Sequence, residues 1–161
     1  QEIALFQGFA KVVEKSENKI VVIDTAPTGH TLLLLDSTEA YHKEMSRSTG
    51  DVPDSVKKLL PRLHNPKETG VVIVTLAEAT PVLEASRLEQ DLKRAGIEAK
   101  WWVINQSLSA TNTADAVLKG RAISEKQWIR KVDGELAEKC AIIPWLEEEK
   151  IGYDQLKEFI F

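Results

Sequence analysis

Four short runs rich in β-branched or aromatic residues recur along the chain, each running into polar or turn-forming residues. They are Lys19–Ile23 before Asp24, Val71–Leu76, Trp101–Ile104 before Asn105-Gln106, and Cys140–Ile143 before Pro144. Segments with helical spacing separate them. Such an alternation predicts parallel β-α-β units, and therefore an α/β class with a partial doubly wound, mostly parallel sheet flanked by helices. A near-continuous apolar strand is what a parallel sheet covered on both faces requires. In such a sheet, ligands bind beyond the carboxyl ends of the strands. Those ends, Asp24-Thr25, Thr75-Leu76, Asn105-Gln106 and Pro144-Trp145, are where chemistry is expected.

The helical segments can be placed with similar economy. Ile3, Phe6, Phe9, Ala10 and Val13 share one helical face within residues 2–15. Thr31–Arg47 reads as a helix carrying four leucines. Residues 48–70 are polar and rich in proline and glycine, with a short helical piece at 54–60. Thr80-Pro81 reads as a cap followed by proline at the first helical position, and this helix stops near Gly96. A helix or helix pair covers roughly 113–138, and Tyr153–Phe159 closes the chain.

At 161 residues the expected organisation is a single domain over 1–161. Hydrophobic residues are 43% and charged residues 29%, an ordinary globular balance. A net charge of −4, with lysine and arginine scattered, argues against a general nucleic-acid binder. One cysteine forms no internal disulfide and suits a reducing compartment. No apolar run is longer than Leu32–Leu35, which is too short to span a bilayer. The chain opens on Gln1 with helical periodicity already under way, so it is expected to be part of a longer protein.

The segment after the first run carries the sharpest signal: Asp24-Thr25-Ala26-Pro27-Thr28-Gly29-His30-Thr31. A buried strand ending in aspartate delivers a carboxylate to the edge of a nucleotide site. There Asp24 can hold water on Mg²⁺, a hard cation that keeps much of its hydration. Pro27 and Gly29 form a bend able to change shape as a phosphate arrives or leaves. Asn105 has an amide that both donates and accepts on a purine edge, and Pro144 offers a flat apolar contact. Each residue alone has a plainer reading: Asp24 as a cap, Asn105-Gln106 as a turn. No G-x-x-x-x-G-K-[ST] is present to cradle phosphates. Cys140, inside an apolar run, reads as a buried structural thiol. His42 and His64 read as surface residues, and Trp101, Trp102 and Trp128 as packing residues.

Asp24–Thr31 followed by Leu32–Asp36 resembles the family of arsenical pump-driving ATPases and their eukaryotic relatives that target tail-anchored membrane proteins. Both belong to the deviant P-loop ATPases. The resemblance continues through Val71–Pro81, Ile104–Leu108 and Gly152–Lys157, and is similar in detail to the C-terminal part of the second nucleotide-binding half. It implies a P-loop NTPase fold whose phosphate-binding loop, switch I aspartate and soft-metal cysteine lie upstream. It makes Asp24–Thr31 the switch II segment, coupling nucleotide and metalloid sites. Asp24 then acts through water on Mg²⁺, and Gly29 senses the γ-phosphate. His30 takes part in arsenite or antimonite binding, Asn105 contacts adenine, and Pro144 lies beside the base.

The implied activity is ATP hydrolysis driving arsenite or antimonite efflux, with ATP and Mg²⁺ as cofactors and As(III) or Sb(III) as allosteric ligand. The implied partners are the rest of the ATPase and an integral membrane pump, which would hold the protein at the cytoplasmic face of the plasma membrane. This stretch alone is expected to be inactive and, with an exposed sheet edge, prone to self-association. The alternative is an ATP-dependent targeting chaperone for tail-anchored membrane proteins. A single methionine, Met45, and the absence of C-x-x-C weigh against it.

Overall fold

In the computed structural model, residues 12–13, 15, 19–24, 61–148 and 152–160 are described. The chain divides into two compact units, residues 1–71 with 86–99, and residues 72–85 with 100–161. The predicted helices at 2–15, 31–47 and 54–60 lie wholly or largely outside the described residues.

The second unit holds a three-stranded sheet, β1 (Val72–Leu76), β2 (Trp101–Ser107) and β3 (Lys139–Pro144), in the order β1-β2-β3 with both pairings parallel. The predicted α/β class with a parallel sheet is borne out, and three of the four predicted strands form. The exception is the run at 19–24. Residues 20–24 adopt no strand, and Ile20 and Val22 are 95% and 88% exposed. β-Branched composition favours a strand only where a neighbour completes the ladder and a face is packed. Among the described residues, nothing pairs with this run.

The sheet buries one face. Ile73, Trp102 and Ile104 are buried there, along with Thr75, while Val72, Val74 and Trp101 on the opposite face are exposed. Each large apolar side chain so enclosed contributes about 1.5–3 kcal/mol. Lys139 stands directly across the β2–β3 ladder from Trp101, its ammonium 4.6 Å from the ring centroid, and covers part of the exposed indole.

Helix α1 (Ala79–Arg94) begins at Ala79, one residue before the predicted cap Thr80. Pro81 therefore sits in the first turn rather than at its first position, which costs little because N–H groups there have no intrahelical acceptor. Val82 and Ala85 turn inward in the second unit. The far end of α1, in the first unit, stops at Gly96 as predicted. Gly96 takes φ +77°, its N–H bonds to Lys93 O, and the Ile97 N–H reaches back to Leu92 O. This is the glycine-terminated helix end that only a residue without Cβ adopts cheaply. His64, an exposed residue as expected, donates from Nε2 to Ala95 O at 2.8 Å and satisfies another terminal carbonyl.

Helix α2 (Ala116–Lys131) starts at Asp115, whose carboxylate accepts from the Val117 and Leu118 N–H groups at 2.8 and 2.9 Å. It passes into a wider π turn, Val132–Leu136, that buries Val132, and together they fill the predicted helical region at 113–138. Helix α3 (Tyr153–Ile160) follows β3, where a closing helix was expected.

Trp102 is fully buried, yet its Nε1–H has no acceptor among the described residues. Trp102→Ala is expected to cost about 3–5 kcal/mol in denaturant unfolding. Trp102→Phe should cost clearly less, since no hydrogen bond is lost. Equal losses for the two variants would contradict this assignment.

Candidate site at the strand ends

The three strands of the second unit end at a common edge. Leu76 on β1 pairs with Asn105 on β2, and Ser107 on β2 pairs with Pro144 on β3. Asn105 and Pro144, both half-buried, therefore stand at the carboxyl ends of adjacent parallel strands. Asp24 belongs to the first unit and is exposed at the end of the run 20–24. Gly29 and His30 lie outside the described residues.

Between Ile104 and Ser107 the β2–β3 ladder is interrupted by an irregularity, and Asn105-Gln106 is the dipeptide released from it. Its effect shows in the burial pattern. Strict alternation after Trp102 and Ile104 would bury residue 106, but Gln106 is exposed and Ser107 is 1% exposed. Gln106 reaches this geometry with φ +54°, left-handed and uncommon for a side chain of its size. Such bulges bend a strand and re-aim its side chains, often beside a binding site.

The same geometry fixes the Asn105 amide. Its Oδ1 accepts the Gln106 N–H at 3.0 Å, which identifies the oxygen and leaves Nδ2 with no partner among the described residues. An amide held this way presents a donor and a remaining acceptor lone pair, the pattern that matches adenine N7 and N6–H. The half-buried Pro144 stands on the neighbouring strand end, paired with Ser107.

Beyond the bulge, a residue not expected from the sequence sets the path of the chain. Glu125 on α2 is 8% exposed. Its Oε2 accepts from Ser107 Oγ at 2.9 Å and from the Ser109 N–H at 2.9 Å, while Oε1 accepts from the Leu108 N–H at 3.1 Å. Ser107 is also tied to β3, its carbonyl accepting the Trp145 N–H at 3.0 Å. A sequence signal for Glu125 does exist. It falls in the stripe Ala122, Glu125, Ile129, Val132, whose spacing turns it inward. The exposed Val117 and Ile123 on the same helix obscure that stripe.

Cys140 on β3 is half-buried rather than buried as expected, and its thiol makes only a weak contact to Ala141 O at 3.9 Å. Desolvation pushes its pKa up, and the Asp133 charge adds to the shift. Among the described residues, no group of three or more His, Cys, Asp or Glu could hold a metal ion. No described helix is long and apolar enough to cross a membrane.

With this geometry in place, similarity to known proteins is informative. The family model described as anion-transporting ATPase matches residues 1–60 and 38–160. An arsenical pump-driving ATPase of Escherichia coli is 45% identical over 158 residues, covering 98% of this chain and 27% of its own length. That of Acidiphilium multivorum is 44% identical over 160 residues, covering 99% and 27%. The ATPase asna-1 of Caenorhabditis elegans is 27% identical over 196 residues, covering 98% of this chain and 57% of its own. The chain belongs to the anion-transporting ATPase family. It spans about a quarter of the length of the arsenical pump-driving relatives (27% for both).

Because only the thiolate is nucleophilic, Cys140 should alkylate more slowly at neutral pH than an unstructured peptide cysteine. Its rate should rise as pH passes above the ordinary thiol range. Peptide mapping after iodoacetamide treatment reads this, and a rate already at its plateau at neutral pH would contradict it.

Proposed function

We propose that this chain serves within a longer polypeptide that hydrolyses ATP and couples hydrolysis to arsenite or antimonite efflux through a membrane pump. The observation that carries the reading is the shared strand edge, with the fixed Asn105 amide and Pro144 at adjacent ends, in a chain 45% identical to an arsenical pump-driving ATPase. Asn105 and Pro144 are the adenine side of the site. The chain has no G-x-x-x-x-G-K-[ST], so the phosphate contacts come from elsewhere in the polypeptide.

Asp24–Thr31 is the switch II segment in this reading. The exposed Asp24 carboxylate suits water-mediated contact with Mg²⁺, which when bound would neutralise developing phosphate charge. Asp24 orients that hydration, and Gly29 senses the γ-phosphate through its backbone. His30 contributes to metalloid binding at the far end of the same segment. Metalloid and nucleotide binding are then reciprocal, each changing the affinity of the other by the same factor. The intact protein acts at the cytoplasmic face of the plasma membrane, where the pump holds it.

The test is ATP hydrolysis by the intact protein with and without antimonite. Antimonite should stimulate hydrolysis, and His30→Ala should weaken that stimulation. Asp24→Asn should lower kcat by roughly 10–100-fold, the usual effect of removing an outer-sphere partner of a metal. Hydrolysis indifferent to antimonite would overturn the metalloid reading and direct attention to binding of tail-anchor segments.

A further inference from the structure

A helix carboxylate buried against three donors of a single loop is more than a packing feature when that loop begins at the candidate base contact. Glu125 binds Ser107, Leu108 and Ser109, the residues that immediately follow the Asn105-Gln106 bulge. The Ser107 and Ser109 hydroxyls also meet at 2.9 Å, and Thr111 turns the chain back through its N–H and Oγ1 to Leu108 O at 3.0 and 2.7 Å. Ile104 on one side of the bulge is fully buried, and Ser107 on the other is held by β3 and Glu125. Asn105 and Gln106 must close the gap between these fixed points, and Gln106 does so at φ +54°.

That constraint reaches the amide. The left-handed Gln106 directs its N–H onto Asn105 Oδ1, and this bond decides which end of the amide is oxygen. An amide free to rotate matches adenine in one orientation and loses that match in the other. One locked with Nδ2 available favours adenine, whose N6 donates and N7 accepts. It disfavours guanine, whose O6 would face the amide oxygen.

We propose that Glu125 is the positioning residue for nucleobase recognition, holding the bulge that orients the Asn105 amide and so setting the preference for adenine over guanine. This rests on the reading of Asn105 as the base contact. The carboxylate does not touch the nucleotide; it acts through Ser107–Ser109 and Gln106. Without it the loop loses its anchor, Gln106 can leave the left-handed region, and the amide can turn.

The experiment is steady-state hydrolysis of ATP and GTP by the intact protein in four forms: Glu125→Gln, Ser107→Ala, Asn105→Ala and the Glu125→Gln/Asn105→Ala pair. Glu125→Gln keeps the side-chain volume but turns one acceptor oxygen into a donor. It should raise the KM for ATP about tenfold with kcat little changed, and shrink the ATP-over-GTP ratio of kcat/KM. Ser107→Ala removes one donor without burying a new charge and should move both quantities the same way, by less. In the Asn105→Ala background, Glu125→Gln should have almost no further effect on KM or selectivity. A lowered melting temperature with unchanged KM and selectivity would overturn the proposal, as would full additivity in the double variant. If Asn105→Ala itself changes neither quantity, the base-contact reading fails and takes the proposal with it. If Glu125→Gln does not fold, an unchanged ATP-over-GTP ratio in Ser107→Ala overturns the proposal.

Discussion

A carboxylate withdrawn from water must recover its hydration from protein donors or become neutral, and the penalty for an unpaired buried charge is several kcal/mol. Glu125 meets this demand with donors from one short stretch, a hydroxyl and two backbone N–H groups of Ser107–Ser109. Bonds to an ionised acceptor each contribute about 1.5–3 kcal/mol, roughly twice a neutral pair. The clamp also joins elements that are distant in sequence, the middle of α2 and the exit of β2. That exit is in turn bonded to the end of β3 through Ser107 and Trp145. The strand edge thus has a fixed frame on both sides of a two-residue interruption, and the strained Gln106 conformation is held by it.

Much of this fold is legible in the sequence because its signals are local. Val72–Leu76 and the residues after Trp101 have the β-branched and aromatic density of buried parallel strands, Gly96 supplies a left-handed helix end, and Pro144 halts β3. The shared edge of Leu76, Asn105 and Pro144 follows from the parallel arrangement, since every strand then ends on the same side. The start of α1 was misread because Thr80-Pro81 resembles a cap, whereas proline is tolerated anywhere in a first turn.

What the sequence did not disclose depends on partners remote along the chain. The run at 20–24 has every local mark of a strand but no ladder among the described residues, and strand formation is a property of the pair. The bulge at Asn105-Gln106 arises from a register shift against β3, which no reading of β2 alone could reveal. Glu125 is ordinary as a helical residue, and its role appears only once α2 packs against the loop it caps. Cys140 shows the reverse: an apolar run suggested burial, but its place on the outer strand of the described sheet leaves the thiol half-covered.

In the proposed function these features form the base-binding end, where a preset amide would need little reorganisation when a nucleotide arrives. The decisive measurement is a crystal structure of the intact protein with Mg–ADP. The account predicts the adenine edge within hydrogen-bond reach of the Asn105 amide, with the Pro144 ring against the base and the Glu125 clamp unchanged. A base seated away from the β2 and β3 ends, with Asn105 still bonded only to Gln106, would contradict it.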